Sequence, residues 1–343
     1  MKKLAALAIV IPALVSAAHS QSFTLIDTWG VNGTGAGEFN TAIGAKVHNN
    51  GYVYIADHYN HNVQRWTKTG QFVDSFGTLG TGNGQFDRPH GMAFDVSGNV
   101  YVADQQNMRI QVFNENGQYL RSWGTPGSGP GQFSSDEAGM QIAISNSGFA
   151  YVTDPRNQRI QKFNLDGTYV SEWGSGGSGP GEFFFFGGIT TAANGNVLVS
   201  DFYNNRVQEF DANGQYLRSW GVGTLSGPAG IVSSADGTLI VTDFQRLSAF
   251  TDISTIGASY GSANEQLLKY TYGLDMDSDG LVFVTDPYAY DGKQIKVFQY
   301  GNPTAPGNSA VPEPSEWAAM GLLGTGLLGL VVRGRKKKLE VAK

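Results

Sequence analysis

Six short apolar strands that each end in an aspartate recur along the chain. They read YIAD, YVAD, YVTD, LVSD, IVTD and FVTD, ending at Asp57, Asp104, Asp154, Asp201, Asp243 and Asp286. Successive aspartates are 47, 50, 47, 42 and 43 residues apart. A period of this length indicates one supersecondary unit copied into a stacked or closed array. Most of the chain therefore forms one repeat domain between two terminal segments.

The second unit, residues 80–124, shows what is repeated. It holds four runs of five to seven residues that alternate or are apolar, each bounded by Gly, Asn, Asp or Ser. This pattern predicts four antiparallel strands joined by tight turns. Such a unit is typical of a β-propeller blade, and a closed ring of blades hides nearly every sheet edge. The predicted fold class is all-β, a six-bladed β-propeller.

The N-terminal segment is predicted to close this ring. Residues 23–30, FTLIDTWG, match the fourth strand of other units, such as LRSWG at 120–124, yet they precede the first complete unit. The sixth unit ends at 294–300 without a fourth strand. We therefore expect 23–30 to complete the last blade.

The turn after the strand-end aspartate carries a family resemblance. Asp-x-x-Asn-x-Arg-(Ile/Val)-Gln-x-Phe occurs at 104–113, 154–163 and 201–210, each time after a GlyGlnPhe or GlyGluPhe segment. This pattern resembles the NHL repeat, and the resemblance implies an NHL-type propeller. The first unit departs from it by carrying Asn62 in place of arginine. NHL propellers include binding platforms and some enzymes, so the resemblance does not fix a function.

The N-terminus has the pattern of a secretion signal. Lys2 and Lys3 are followed by an apolar run at 4–15 and by small residues, which predicts a signal peptide over 1–20. Signal peptidase and the secretion machinery are the expected partners. The propeller is then expected at 21–301.

The C-terminus has the pattern of a sorting signal. A ProGluPro segment, an apolar run at 318–332 and a basic cluster resemble, in this order, the PEP-CTERM signal of Gram-negative bacteria. The residues of the motif are Pro312, Glu313, Pro314, Arg333 and Arg335. The resemblance implies processing by an exosortase and delivery to the cell envelope, outer surface or extracellular matrix. We expect a linker at 302–311 and the signal at 312–338; a plain membrane anchor is the alternative.

The apolar run before the basic cluster predicts a short transmembrane helix. Its 15 residues, at ~1.5 Å each, fall short of the ~30 Å hydrocarbon core. The span is therefore marginal, with the basic tail on the cytoplasmic side and a transient membrane association.

Composition narrows the functional classes. Cysteine is absent, which excludes disulfides, iron–sulfur clusters and thiolate zinc sites. The terminal segments hold eight of the 23 basic residues but three of the 29 acidic ones, which leaves the repeat region at a net −11. Such a charge repels phosphates, so nucleic acid is not an expected partner.

Several motifs are explained by the repeat itself. GTGNG at 80–84 resembles a phosphate-binding loop, but it recurs between strands at 33–37, 127–131 and 177–181, which indicates a turn. Arg109, Arg159 and Arg206 are predicted to pair with the aspartates of their blades. Aromatic residues that recur in the fourth strands are predicted to pack between blades: Trp29, Phe76, Trp123, Trp173 and Trp220.

One acidic segment matches part of a calcium loop. DMDSDG at 275–280 places Asp275, Asp277 and Asp279 at the first positions of an EF-hand, and Asp286 stands where a glutamate would close it. Other units have a hairpin turn in this register, so we favour a turn and expect no cofactor, with calcium as the minor alternative.

The residue before the inner-strand glycine is predicted to face the central channel. Aligned on the strand-end aspartates, these residues are Ile43, His90, Met140, Gly187, Ala229 and Tyr272. One histidine does not make a zinc site. NHL-like amidating lyases use several channel histidines, so the pattern argues against that activity. His58 and His61 are expected to be exposed to solvent.

The loops after the strand-end aspartates supply the candidate ligand face. Its candidate binding residues are Tyr59, His90, Arg156, Phe185, Phe202, Tyr203, Phe244, Tyr272 and Tyr288. Aromatic rings beside polar groups suit stacking on sugar rings or gripping a peptide, although packed loops explain several of them equally well.

These patterns together favour an exported, non-catalytic binding or scaffolding module for a polysaccharide or protein partner. The alternative is a propeller-type lyase or lactone hydrolase that uses a metal in the central channel, with His90 and Tyr272 at the site.

Overall fold

The regular elements of the described residues are all β-strands. The computed structural model describes residues 22–134, 139–234, 236–252, 255–260 and 268–301. The strands are β1 (Phe23–Asn32), β2 (Glu38–Phe39), β3 (Ala42–Val47), β4 (Tyr52–Asp57), β5 (Asn62–Thr67), β6 (Phe72–Phe76), β7 (Pro89–Phe94), β8 (Val100–Asp104), β9 (Arg109–Phe113), β10 (Tyr119–Trp123), β11 (Thr125–Pro126), β12 (Gln132–Phe133), β13 (Ile142–Ile144), β14 (Phe149–Asp154), β15 (Arg159–Asn164), β16 (Tyr169–Trp173), β17 (Ser175–Gly176), β18 (Glu182–Phe183), β19 (Phe186–Thr191), β20 (Val197–Asp201), β21 (Arg206–Phe210), β22 (Tyr216–Trp220), β23 (Pro228–Ser233), β24 (Leu239–Asp243), β25 (Arg246–Asp252), β26 (Thr255–Tyr260), β27 (Leu274–Met276), β28 (Leu281–Thr285) and β29 (Lys293–Tyr300).

These strands form six blades, each an antiparallel sheet of four strands. Blade one is β3 to β6, blade two β7 to β10, blade three β13 to β16, blade four β19 to β22, blade five β23 to β26, and blade six β27 to β29 with β1. The first strands of the blades are neighbours in turn around the ring, and β27 returns to β3. The predicted six-bladed propeller is confirmed.

The N-terminal strand closes the ring as predicted. β1 pairs antiparallel with β29, from Phe23 opposite Tyr300 to Val31 opposite Lys293. It extends two residues beyond the predicted segment, to Asn32, and then pairs with β2 in the link to blade one. The last blade thus takes strands from both ends of the repeat region.

Aromatic residues at the end of the fourth strands pack between blades, as predicted. Each meets an aromatic ring of the third strand in the next blade. The ring centroids are 4.8 Å apart for Trp29–Trp66, 5.0 Å for Phe76–Phe113, 6.1 Å for Trp123–Phe163, 5.9 Å for Trp173–Phe210 and 4.8 Å for Trp220–Phe250. Since every blade is apolar on both sides, a middle strand such as β8 is buried along its whole length.

The strand-end aspartates tie each blade to the link that precedes it. In blade two, Asp104 Oδ1 accepts the backbone N–H of Asp87 at 2.8 Å, and Oδ2 accepts Arg109 Nε at 2.8 Å and Gln111 Nε2 at 3.0 Å. The equivalent arginine distances are 2.9 Å for Arg159–Asp154 and 2.8 Å for Arg206–Asp201. The predicted structural role of these pairs is confirmed, since the aspartates are fully buried.

The acidic segment at 275–280 forms the predicted turn between β27 and β28, and lysines contact its carboxylates. Lys68 Nζ lies 2.5 Å from Asp277 Oδ2 and 3.9 Å from Asp279 Oδ2. Lys46 Nζ lies 3.4 Å from Asp275 Oδ1. Calcium binding stays the minor alternative. A calcium ion at these carboxylates would have to displace the ammonium groups of Lys46 and Lys68.

The terminal predictions lie outside the described residues. These are the signal peptide at 1–20, the linker at 302–311, and the sorting signal at 312–338 with its short transmembrane helix. Within the ranges given above, the chain contains no helix long and apolar enough to cross a membrane.

Candidate functional site

A cavity opens on the propeller axis at one face of the ring. At this face the first strand of a blade begins beside the end of the second strand. In blade four Phe186 pairs with Asp201, and in blade five Pro228 pairs with Asp243. The volume of the cavity is about 190 Å³. Its lining residues are His90, Gln141, Phe185, Phe186, Gly187, Phe202, Tyr203, Ala229, Phe244, Tyr270, Thr271 and Tyr272. We call this space the axial cavity.

The axial cavity narrows sharply below its floor. The channel beneath it measures about 20 Å³ and is lined by the first strands of the blades. Gln141 and Tyr272 line both spaces, so they form the boundary between them. The axial cavity is therefore a pocket that is open at one end.

A continuous series of aromatic rings across blades four to six runs along one wall of the axial cavity and extends beyond it at both ends; we call this series the aromatic arc. Neighbouring ring centroids are 5.4 Å apart for Phe184–Tyr203, 5.2 Å for Phe185–Tyr203, 5.6 Å for Phe185–Phe202, 5.7 Å for Phe202–Phe244, 6.1 Å for Phe244–Tyr270 and 6.0 Å for Tyr270–Tyr288. Phe184 and Tyr203 are 61% and 56% exposed. The arc thus presents ring faces and edges to solvent.

The strand-end aspartate of blade four positions the centre of the arc. Asp201 Oδ1 accepts the backbone N–H of Phe184 at 3.1 Å, and the N–H of Phe202 donates to the carbonyl of Phe185 at 2.8 Å. Two loops of one blade are thereby held side by side. Their rings stand at the cavity mouth as a consequence.

The backbone of Phe244 is strained. Its φ is +34°, a region that L-residues rarely adopt, and such residues cost of order 1 kcal/mol or more. An added Cβ at Gly227 would lie 2.7 Å from Phe244 Cε2, so a glycine there makes room for the ring. The loop of blade five is shorter than that of blade two, since Asp243 pairs with Arg246 whereas Asp104 pairs with Arg109. In this loop the aromatic side chain of Phe244 lines the cavity.

Two buried histidines stand on the opposite side. His90 Nδ1 lies 3.2 Å from Gln141 Nε2, and burial lowers the pKa of His90 to about 3. His58 Nδ1 lies 3.3 Å from the Pro89 carbonyl, and burial lowers the pKa of His58 to about 4. The two ring centroids are 5.7 Å apart. Both imidazoles are neutral at physiological pH.

The expectation that His58 is exposed to solvent is wrong. Its loop folds over the start of β7, so the imidazole is covered by the next blade and is only 6% exposed. His61 remains partly exposed, with Nδ1 3.6 Å from Asp87 Oδ1. The linear sequence did not show this contact between blades.

Among the described residues, no formally charged group lines the axial cavity. The polar lining of the cavity comes from His90, Gln141, Thr271 and the three tyrosines at 203, 270 and 272. Burial raises the pKa of Tyr272, so its phenol stays neutral. Thr271 is 4% exposed, and within the described part of the chain its hydroxyl has no hydrogen-bond partner.

The structure brings together six of the nine candidate binding residues. His90, Phe185, Phe202, Tyr203, Phe244 and Tyr272 all line the axial cavity. Three others lie outside it. Tyr288 contacts Tyr270 at the end of the arc, and Tyr59 stacks under Arg88 at 5.3 Å. Arg156 is exposed in the blade-three loop.

Sequence reasoning missed Gln141, Tyr270 and Thr271. A signal for Gln141 was available, because five blades have glycine at its position in the first strand. No comparable signal marked Thr271.

The residues around the channel do not fit the metal implied by the enzyme alternative. Of the six predicted ring residues, only His90 carries a nitrogen ligand. In the ranges that the structure describes, no group of three or more His, Cys, Asp or Glu is placed to hold a metal ion.

Comparisons with family models agree with the fold and with the C-terminal signal. An NHL repeat matches residues 86–113, a 6-bladed beta-propeller domain matches 139–249, and the PEP-CTERM protein-sorting motif matches 310–336. The sorting motif indicates a protein that is exported, processed by the secretion machinery and an exosortase, and anchored at the cell envelope. No curated protein matches the sequence.

Solved structures with the same fold are distant in sequence. Virginiamycin B lyase from Staphylococcus aureus, in an inactive form with quinupristin, is 14% identical over 81% of this chain and 99% of its own, with a TM-score of 0.57. A putative gluconolactonase is 13% identical over 82% and 93%, with a TM-score of 0.58. A Bacteroides thetaiotaomicron protein of unknown function is 16% identical over 82% and 76%, with a TM-score of 0.59. These likenesses show a common fold.

Proposed function

We propose that this NHL-repeat, six-bladed propeller protein, exported with a PEP-CTERM sorting motif, is a non-catalytic module that binds a glycan of the cell surface or matrix in its axial cavity. The observation that carries the proposal is the aromatic arc beside a pocket whose described lining residues include polar groups but no charged ones.

The aromatic arc supplies flat apolar surfaces of the kind that sugar rings stack on. An exposed aromatic ring offers a large contact area at a small cost in side-chain entropy. Tyr203 and Phe184 expose more than half of their surface although they touch other rings. Packing within the loops therefore leaves their outer faces free for a ligand.

The polar groups of the cavity suit hydroxyls rather than ions. His90 is neutral, and Gln141 and Thr271 offer an amide and a hydroxyl. A buried charged ligand would need a compensating charge, and the described lining residues provide none. Uncharged sugar units meet this condition.

Export supports the same choice. A protein sorted to the envelope meets surface and matrix polysaccharides there, and the acidic propeller is unsuited to nucleic acid. A protein partner is the competing ligand, and a binding experiment distinguishes it from a glycan.

A lyase or lactone hydrolase is the second candidate. His90 and Tyr272 both line the cavity, and fold neighbours include virginiamycin B lyase and a putative gluconolactonase. An imidazole with a pKa of about 3 is a weak general base at neutral pH, which favours binding over catalysis. Product analysis after incubation with glycan and lactone substrates, together with metal analysis of the purified protein, distinguishes the two.

The test is binding of the propeller to soluble polysaccharide extracted from the producing cell's matrix. Tyr203→Ala should weaken binding at least tenfold, which corresponds to about 1.4 kcal/mol. Phe202→Ala combined with Tyr203→Ala should abolish it. Leu120→Ala with Leu217→Ala is the matched control, because both leucines are about half exposed on outer strands.

The results separate the candidates. Glycan binding that depends on the arc supports the proposal. Wild-type binding to a matrix protein but to no polysaccharide, or glycan binding that survives loss of both arc rings, overturns it. If the variants and the wild type have the same melting temperature, the loss of binding is not caused by unfolding.

A further inference from the structure

Gln141 occupies a position that is glycine in the other five blades. The glycines are Gly44, Gly91, Gly188, Gly230 and Gly273. They sit where neighbouring first strands approach closely, since an added Cβ at Gly273 would lie 2.2 Å from the carbonyl oxygen of Ile43. Blade three alone carries a side chain there, and this side chain lines the floor of the axial cavity.

The backbone at Gln141 follows the pattern of the glycine blades. Its N–H donates to Thr153 Oγ1 at 2.8 Å, just as Gly230 donates to Thr242 at 2.8 Å and Gly273 to Thr285 at 2.7 Å. The blade therefore forms with the same main-chain bonds whether or not a side chain is present. The amide of Gln141 is not needed for the fold.

The amide of Gln141 is held in place by the buried histidine. Its Nε2 lies 3.2 Å from Nδ1 of the neutral His90. Among the described residues no hydrogen bond is made to Oε1, which lies over Gly91, where an added Cβ would be 2.7 Å from it. Because the Gln141 side chain lines the cavity, this oxygen is the acceptor that the side chain can offer. A ligand hydroxyl can donate to it.

A second free polar group stands in the same cavity. Thr271 Oγ1 is buried and, among the described residues, has no partner. A buried hydroxyl without a hydrogen bond costs free energy, which a ligand group would recover. Thr271 comes from blade six and Gln141 from blade three, so the two groups reach the cavity from opposite sides of the ring.

The size of the cavity limits what can enter. Its volume of about 190 Å³ is below the ~300 Å³ at which drug-sized ligand pockets begin, and the channel beneath holds about 20 Å³. A polymer cannot thread through such a pocket. One small unit fits, while the following units meet the aromatic arc outside.

We infer that the axial cavity captures the end of a glycan chain, with one terminal, uncharged sugar unit inserted along the propeller axis and its hydroxyls bound by Gln141 Oε1 and Thr271 Oγ1. Gln141 is then a specificity-determining residue. This inference rests on the proposed glycan-binding function and adds the part of the ligand that is recognised.

The first experiment tests the role of the amide. Gln141→Gly installs the residue of the other five blades, and Gln141→Met keeps the length of the side chain without its amide. Both variants should bind matrix polysaccharide at least tenfold more weakly than wild type, with unchanged melting and unchanged dependence on salt. Wild-type affinity in both variants would overturn the inference.

The second experiment tests recognition of the chain end. The same polysaccharide is used as a competitor before and after partial acid hydrolysis, which multiplies chain ends at constant mass. The potency of the competitor per unit mass should rise in proportion to the number of chain ends. Constant or falling potency would mean that internal segments are bound and would overturn the inference.

The outcomes separate this inference from the proposed function. Glycan binding that needs Tyr203 but neither Gln141 nor chain ends leaves the proposed function standing and removes the inference alone. Failure of the wild-type protein to bind any polysaccharide removes both.

Discussion

Asp57 and Asn62 face each other across β4 and β5 at the position where other blades pair an aspartate with an arginine. Asp57 accepts Asn60 Nδ2 at 2.6 Å and Gln64 Nε2 at 3.0 Å, but no cation from the described part of the chain contacts it. Burial raises the pKa of Asp57 to about 6. Asn62 Oδ1 is itself buried and has no partner among the described residues. Asp57 therefore lacks the guanidinium that the strand-end aspartates of blades two to five contact.

Asn62→Arg should stabilise the propeller at neutral pH. The guanidinium would lower the pKa of Asp57 and reach the Thr34 and Gly35 carbonyls, whose equivalents in blade two bind Arg109. Because the carboxyl pKa of Asp57 is raised in the folded state, the free energy of unfolding of the wild type falls as pH rises from about 4 to about 6. The stability advantage of the arginine variant over the wild type should therefore grow over that pH range. We expect about 1 kcal/mol or more at pH 7, measured by urea unfolding at pH 4 and 7.

Asn62→Ala is the control, since it removes the unpaired oxygen without adding a charge. Its effect should be smaller and independent of pH. An arginine variant no more stable than the alanine variant at pH 7 would contradict the assignment of Asp57.

His90→Asn should change how the free energy of unfolding depends on pH. The wild-type imidazole has a folded pKa of about 3 against about 6.5 when unfolded, so the unfolded state gains a proton first as pH falls. Wild type should lose about 1.4 kcal/mol per pH unit relative to the variant below pH 6.5. Asparagine keeps an acceptor for Gln141. Unfolding curves from pH 7 to 4 measure the difference, and parallel curves would disprove a buried neutral His90.

Deletion of Phe23–Asn32 should prevent a stable ring. It removes the strand that pairs with β29 and leaves an open sheet edge in blade six. Loss of the cooperative melt in circular dichroism is expected, and a peptide of the same sequence should restore it. Ile26→Ala is the control, because this side chain is partly exposed. An unaltered melt after deletion would refute the closure.

Calcium should leave the melting temperature unchanged. Lys68 already lies 2.5 Å from Asp277, and an ammonium must leave before an ion can bind both carboxylates. Melting with calcium, with magnesium and with a chelator checks this. A rise that is specific to calcium would restore the EF-hand interpretation.

Much of the fold could be predicted because each blade is built from local signals. The alternation of apolar residues, the glycine turns and the Asp-x-x-Asn-x-Arg segments predict the strands, and their copying predicts the ring. Pairs such as Arg109–Asp104 were predictable since they lie within one blade.

The candidate site was only partly predictable. Nine candidate residues were chosen at one face of the ring, and the structure places six of them around one cavity. His58 was assigned to solvent because its cover, at Pro89, belongs to another blade. The repeat pattern does not predict how one blade is positioned against the next.

The sequence by itself determined the number of blades, the closing strand, the pairs within blades and the sorting motif, because these depend on periodicity and on short-range contacts. Only the tertiary structure decided that Gln141, Thr271 and the aromatic arc meet at one cavity. These residues come from different blades, and the packing of whole blades around the axis sets their distances. That packing is a property of the closed ring.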